Sequence, residues 1–505
     1  MTTSRVSVRR RTAFALSVLA ALTGMTAASA GAAEVQIMQP RGAVVSGSYV
    51  VTFKPGVDPA AETRDLVGRT GVKLTFAYTT ALKGFAFRGS VKQAERIAAD
   101  PQVRSVWADG VMKANVVTQP VPAPPNTFWG LDRIDQRTGV NQKYQYSSSA
   151  SNVHAYVIDT GIRTSHSEFG GRASVGYDAI GDGRNGQDGN GHGTHVAGTI
   201  GGKTYGVAKS VKLVAVRVLD DSGSGSTSGV IAGVDWVAAH AKKPAVANMS
   251  LGGSYYAPLN LAVTNAVDKG VAMVVAAGNE GHDAGLNSPA DTQQALTVGS
   301  VGNRYSSSNP VSDTRSDFSN YGSAVDLFAP GALIKSAWNT SNTATNTISG
   351  TSMASPHVAG AVAVYLSKHT SVSAEYAQQA VVRLATTGKV GDRKGSPNRL
   401  VYVPPRLPTR TQVDVTPEPV KAGGTVRVVG RISDATLDSK GVTGTVRVYF
   451  KKSGSTNWLL KGTTTTSTGF VFYQTKVWNS GTWKLTYAGN SSFAGSSATD
   501  AVAVS

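Results

Sequence analysis

Apolar positions change their rhythm three times along the 505-residue chain. Between Ser46 and Ala114 the short runs SYVVTF, VKLTFAY, GFAFRG and VRSVWAD read as strands, while PAAETRDLVGRT and VKQAERIAAD have helical spacing. Ser90 is placed to cap the second helix and Pro101 to stop it, which predicts a small βαββαβ module. From Asn126 to Val403 the apolar runs differ: VHAYVID, VKLVAVRVL, AVANMSL and VAMVVAAG are short, β-branched and bounded by polar residues or glycine, as buried parallel strands are. The helical stretches TSGVIAGVDWVAAHA and LNLAVTNAVDKG between them predict an α/β unit, a mostly parallel sheet with helices on both faces.

After Pro404, Pro405 and Pro408 only strand-like runs remain, among them TVRVVGRI, TVRVYFKK, FVFYQTKV and WKLTYAG. Turn residues separate them roughly every eight to twelve positions, which predicts an all-β immunoglobulin-like sandwich over residues 404–505. Its Trp458, Trp478 and Trp483 are read as core before ligand contacts. Before the α/β unit, VVTQPVPAPPNT carries four prolines without apolar periodicity, an extended and protease-accessible linker.

Composition adds a compartment. Arg9, Arg10 and Arg11 precede the apolar run AFALSVLAALTGM and the small-residue stretch Ala28-Ser29-Ala30, so residues 1–30 read as a signal peptide and the product as secreted. That run is too short for a membrane span. With no cysteine in an exported chain, durability must come from packing and bound ions. The net charge of +18 is scattered, without a run of five like charges, and indicates solubility and weak surface adsorption, with no nucleic-acid partner.

Three polar stretches fall where strands of the α/β unit end: VIDTG with Asp159, NGHGTHVAG with His192 and SGTSMASPHVAG with Ser352. A serine hydroxyl attacks a carbonyl only when an imidazole takes its proton, and the imidazole needs a carboxylate to fix its tautomer. The chain order Asp, His, Ser is one of three known for this chemistry. A zinc site is excluded, because helical zinc histidines stand four apart with a glutamate between them. His192 and His195 are three apart, with no glutamate.

Together with WGLDRIDQR, PAVANMSLGG, VAAGN, FSNYG and VDLFAPG, these stretches resemble subtilisin-like serine proteases of the proteinase K and aqualysin branch over residues 126–403. The resemblance implies Asp159 as orienting carboxylate, His192 as general base, Ser352 as nucleophile and Asn279 as oxyanion donor, with His195 and His357 structural. Glycine-rich strand ends, Gly223-Ser224-Gly225 and Ser250-Leu251-Gly252-Gly253, are suited to pair with an extended peptide. Ala276, Ala277 and Gly278 would line a small apolar pocket favouring apolar or aromatic residues. The resemblance also implies calcium, held by Asp326 and the carbonyls of Gln293 and Ala295. Residues 46–114 resemble a propeptide that chaperones and inhibits residues 115–403 and is cut away between about Ala114 and Gln119. The expected product is a monomeric endopeptidase acting on protein substrates. Disulfides of some relatives are missing, Gly189 and Asp221 standing in place of cysteines. The rival readings, an inert scaffold presenting the sandwich or an esterase, are disfavoured by the intact residue set and by the peptide-pairing strands.

Overall fold

The structure, a computed structural model, describes residues 36–117, 128–303 and 311–505. The predicted signal peptide and the linker residues 118–127 lie outside the described residues.

The amino-terminal module runs β1 (Val44–Phe53), α1 (Pro59–Thr70), β2 (Lys73–Tyr78), β3 (Gly84–Arg88), α2 (Val91–Ala98) and β4 (Val103–Ala114). Local chemistry sets both helices. Asp58 caps α1 through the N–H groups of Ala60 and Ala61, Pro59 opens it, and Gly71 ends it in the left-handed region. Ser90 and Gln93 form a reciprocal capping box on α2. The two helices cover an aromatic core that includes Tyr49, Phe53, Phe85 and Phe87.

The central unit contains α3 (Trp129–Ile134), β5 (His154–Asp159), β6 (Ala173–Asp178), α4 (His192–Gly201), β7 (Lys212–Arg217), β8 (Ser224–Ser226), α5 (Thr227–His240), β9 (Ala245–Met249), β10 (Leu251–Ser254), α6 (Ala257–Asp268) and β11 (Val271–Ala276). It continues with β12 (Asn287–Ser288), β13 (Leu296–Val301), β14 (Leu327–Pro330), β15 (Ile334–Ala337), β16 (Thr345–Ile348), α7 (Thr351–Lys368), α8 (Ala374–Leu384), β17 (Thr386–Thr387) and β18 (Arg399–Leu400). Its main sheet has the order β17-β18-β14-β13-β11-β9-β5-β7-β6, and every pair from β18 to β6 is parallel. Helices lie on both faces: Gly233 of α5 packs on Val216 and Ile158, whereas Gly201 of α4 packs on Val211 and Leu213. Strands buried on both sides explain the continuous apolar runs.

The carboxy-terminal unit comprises β19 (Thr409–Thr416), β20 (Thr425–Asp434), β21 (Leu437–Gly441), β22 (Gly444–Lys452), β23 (Leu459–Thr466), β24 (Phe470–Lys476), β25 (Gly481–Tyr487) and β26 (Ser496–Val502). They form two four-stranded antiparallel sheets. Trp483 sits in their shared core, while Trp478 is 68% exposed. The sandwich is docked on the central unit. His369, which ends α7, bonds Asp434 at 2.6 Å with both side chains fully buried, and the Tyr376 hydroxyl donates to the Thr436 carbonyl. Among the described residues, no helix is long and apolar enough to cross a membrane.

Candidate active site

β4 does not stop at the edge of its own module. Its last residues lie between β8 and β10 and make a three-stranded antiparallel arrangement across the top of the central unit. Ala114 pairs with Leu251, Lys113 with both Gly252 and Ser224, Met112 with Gly225, and Val111 with Ser226. Glycine recurs along β10 because the inserted strand comes close: a side chain on Gly252 would meet the Asn115 carboxamide, and one on Gly253 would meet the Met112 sulfur.

The following residue, Asn115, lies over the amino terminus of α7. Its N–H donates to the Ser250 carbonyl at 3.1 Å, and its own carbonyl accepts from the backbone N–H of Ser352 at 3.3 Å. The chain then turns sharply, Val116 N–H bonding the Ala114 carbonyl, and Val117 forms an antiparallel bridge with Ser349. One continuous strand thus crosses the cleft, with the Asn115–Val116 peptide bond at Ser352.

Asp159 ends β5, and its Oδ1 lies 2.7 Å from Nδ1 of His192, the first residue of α4; both side chains are buried. A second buried carboxylate places that helix start. Asp188 accepts from the N–H groups of Asn190, Gly191 and Thr194 and from the hydroxyls of Thr160 and Thr194. Burial pushes its pKa up, against those hydrogen bonds. His192 Nε2 is buried with no hydrogen-bond partner among the described residues, and the Ser352 hydroxyl donates instead to the Ser250 carbonyl at 2.9 Å. Asn279 accepts from Thr351 through Oδ1, which leaves its Nδ2 buried and without a partner beside Gly350, where the Asn115 carbonyl also lies.

The other histidines stand apart. His195 Nε2 is bonded to the Ile334 carbonyl and His357 Nδ1 to the Met353 carbonyl, each fully buried. Burial depresses both, to about 3 for His195 and about 4 for His357. Ala276, Ala277 and Gly278 form the buried end of β11 and the turn after it. Asp326 and Gln293 line a cleft of about 460 Å³ with Asp283 and Asp291, and Ala295 lines an adjoining one. Burial and then the charge of Asp283 raise the Asp291 carboxyl, so negative charge is crowded there. Asp326 also accepts from the Thr297 N–H.

Sequence reasoning missed Asn115, Asp188 and the pair Asp109 and Asp235. Asp235 of α5 accepts the backbone N–H groups of Thr79, Thr80, Ala81 and Leu82, and Asp109 of β4 accepts the N–H and hydroxyl of Ser228 at the start of α5. The only signal for these was a lone acidic residue in each of two apolar stretches.

The sequence model of the subtilase family matches residues 151–402. An extracellular serine proteinase of Thermus sp. strain Rt41A is 47% identical over 71% of this chain and 90% of its own. Alkaline serine exoprotease A of Vibrio alginolyticus is 44% identical over 72% of this chain and 69% of its own. A crystal structure of a cold-adapted subtilisin-like serine proteinase superposes with a TM-score of 0.52 at 51% identity, covering 55% of this chain and 98% of that one.

Proposed function

Because the chain belongs to the subtilase family and is a serine protease, we propose that it is a secreted, self-processing endopeptidase that cuts its own Asn115–Val116 bond before it cuts anything else. The observation that carries this reading is the Ser352 N–H on the Asn115 carbonyl, with the preceding residues held as a substrate strand between β8 and β10.

Ser352 Oγ swings from the Ser250 carbonyl to attack the Asn115 carbonyl carbon, and His192 Nε2 takes its proton. Asp159 holds the other ring nitrogen and stabilises the imidazolium. Negative charge grows on the Asn115 oxygen, between the Ser352 N–H and the partnerless Asn279 Nδ2. The C–N bond breaks as His192 returns the proton to the Val116 nitrogen, leaving an ester of Asn115 on Ser352. Water, deprotonated by the same histidine, hydrolyses that ester and restores the hydroxyl. The amino-terminal module, ending at Asn115, remains as a non-covalent inhibitor until digested. External proteins then occupy the same strand position, with apolar and aromatic residues preferred at the Asn115 position beside Ala276, Ala277 and Gly278, and asparagine accepted.

Asp326, with the carbonyls of Gln293 and Ala295, would hold calcium in a cleft that Asp283 and Asp291 also line; among the described residues no three carboxylate or histidine side chains gather as a metal cluster, so most of the ligands would be backbone carbonyls. Such an ion would tie the loop before β13 to the start of β14.

The test is intact mass and amino-terminal sequencing of secreted wild type and Ser352→Ala. The wild type should begin at Val116 and take one fluorophosphonate label, and Ser352→Ala should keep its amino-terminal module. A cut at another bond would overturn the assignment of Asn115, and identical processing of both proteins would overturn self-cleavage.

A further inference from the structure

A second cleft, of about 630 Å³, opens at the end of the main sheet opposite the catalytic residues. His154 and Lys212 are the first residues of β5 and β7 and are paired in register, whereas Asp159 ends β5. The walls divide into two chemistries. Tyr156, Val175, Val214 and Trp236 supply apolar surface, Lys212 and Lys242 supply positive charge, and His154 adds a polar imidazole beside them. Among the described residues, no carboxylate lines the cleft. Arg172, which also reaches it, is committed to the carbonyls of Gly201, Val211 and Glu168.

The apolar half is rigid. Gly176 lies at a register break in the edge strand β6, and the Trp236 ring occupies the space a side chain there would need. The indole is stacked on His240 at 4.8 Å and on Tyr177 at 6.0 Å, which leaves an edge of the ring to the cleft. Val175, beside the break, is 41% exposed and packs against Gly186. The charged half is unbalanced. Burial first, then Lys212 and Lys242, hold the His154 pKa below its ordinary value, and its Nδ1 is buried without a hydrogen-bond partner among the described residues.

Exposed lysines alone hold a free anion weakly, and an apolar chain alone would leave the cations unanswered. Both halves are used by one kind of molecule. We propose that this cleft binds an amphipathic monoanion, an oxyanion head such as a carboxylate on an alkyl chain, with the head at His154, Lys212 and Lys242 and the chain along Val175, Val214 and the edge of Trp236. The site is independent of the catalytic assignment, since none of its residues touches the cleft that holds Asn115.

The test is calorimetric titration of the full-length Ser352→Ala protein with decanoate below its micelle concentration, with acetate, phosphate and decanol as half-ligands. Decanoate should bind saturably at one site, acetate and phosphate should show no binding at the same concentrations, and decanol should bind at least tenfold more weakly. Lys212→Glu/Lys242→Glu should weaken decanoate tenfold or more, and so, separately, should Val175→Asp, a change on an exposed edge that leaves the fold intact by circular dichroism. Absence of saturable binding, equal binding of decanol, or unchanged affinity in both variants would overturn the proposal.

Discussion

Gly189 and Asp221 lie against each other: the Asp221 carboxylate fills the space that a side chain on Gly189 would take. From there it pairs with Arg184 and, at 3.0 Å, with the fully buried guanidinium of Arg217, which also reaches Asp178 and Asp182. The positions expected to carry cysteine in some relatives are therefore neighbours, joined here by charge. Gly189→Cys/Asp221→Cys should form a disulfide on secretion. It closes a loop of about 30 residues, worth roughly 3.6 kcal/mol. The oxidised variant should melt several degrees above the same variant reduced; equal melting would mean that bond strain cancels the cross-link.

Asn279→Ala removes the buried Nδ2 that meets no partner in the structure. Turnover on a peptide anilide should fall roughly a hundred- to a thousandfold, as loss of one such donor does in subtilisin, with KM little changed. A drop of less than threefold would show that the Ser352 N–H suffices.

His195 and His357 stay neutral in the fold to about 3 and about 4, whereas an unfolded histidine titrates near 6.5. Below about pH 6.5 the unfolded chain binds the extra protons, so stability is full above that pH and falls as pH drops toward 4. Urea midpoints of Ser352→Ala, taken from pH 8 to pH 4.5, should decline in that window. A flat profile down to pH 5 would contradict the burial of these rings.

Asp235 serves four N–H groups of the amino-terminal module from a helix of the central unit. A hydrogen bond to a charged group contributes about 1.5–3 kcal/mol, so Asp235→Ala should weaken inhibition by separately added module about tenfold to a hundredfold. The measurement is the inhibition constant against mature enzyme. Asp109, whose pKa is raised by burial, makes the reciprocal contact at the start of α5, and its substitution should add to the effect.

Chelation should lower the melting temperature of the mature enzyme, and Asp326→Ala should abolish that response. At a calcium concentration a hundred times Kd the stabilisation is about 2.7 kcal/mol. A melting curve indifferent to chelator would exclude the Asp326, Gln293 and Ala295 site.

Much of the fold was legible because its signals are local. Capping at Ser90, and the β-branched runs of β5, β7, β9 and β11, each lie within a few residues. The stretches around Asp159, His192 and Ser352 were legible for the same reason. What escaped reading depends on contacts across the chain. Nothing in KANVV marks Asn115 as the residue that meets Ser352, since its place follows from β4 pairing with two strands far along the sequence. Asp235 caps a turn 150-odd positions away, and Arg217 gathers three carboxylates that no period connects. The hairpin of β15 and β16 was unread because its middle, SAWNTSNTATN, is mostly polar and turn-forming, with Ala337, Trp338 and Ala344 at no strand period. Trp478 and Trp483 look alike in sequence, yet one is exposed and the other is core.

Ser352 and His369 sit at opposite ends of α7, a single 18-residue helix about 27 Å long. The proposed nucleophile is therefore mounted on one end of a rod whose other end is bolted into the sandwich through Asp434. The sandwich, which supplies none of the proposed catalytic residues, thus fixes the far end of the helix that carries Ser352.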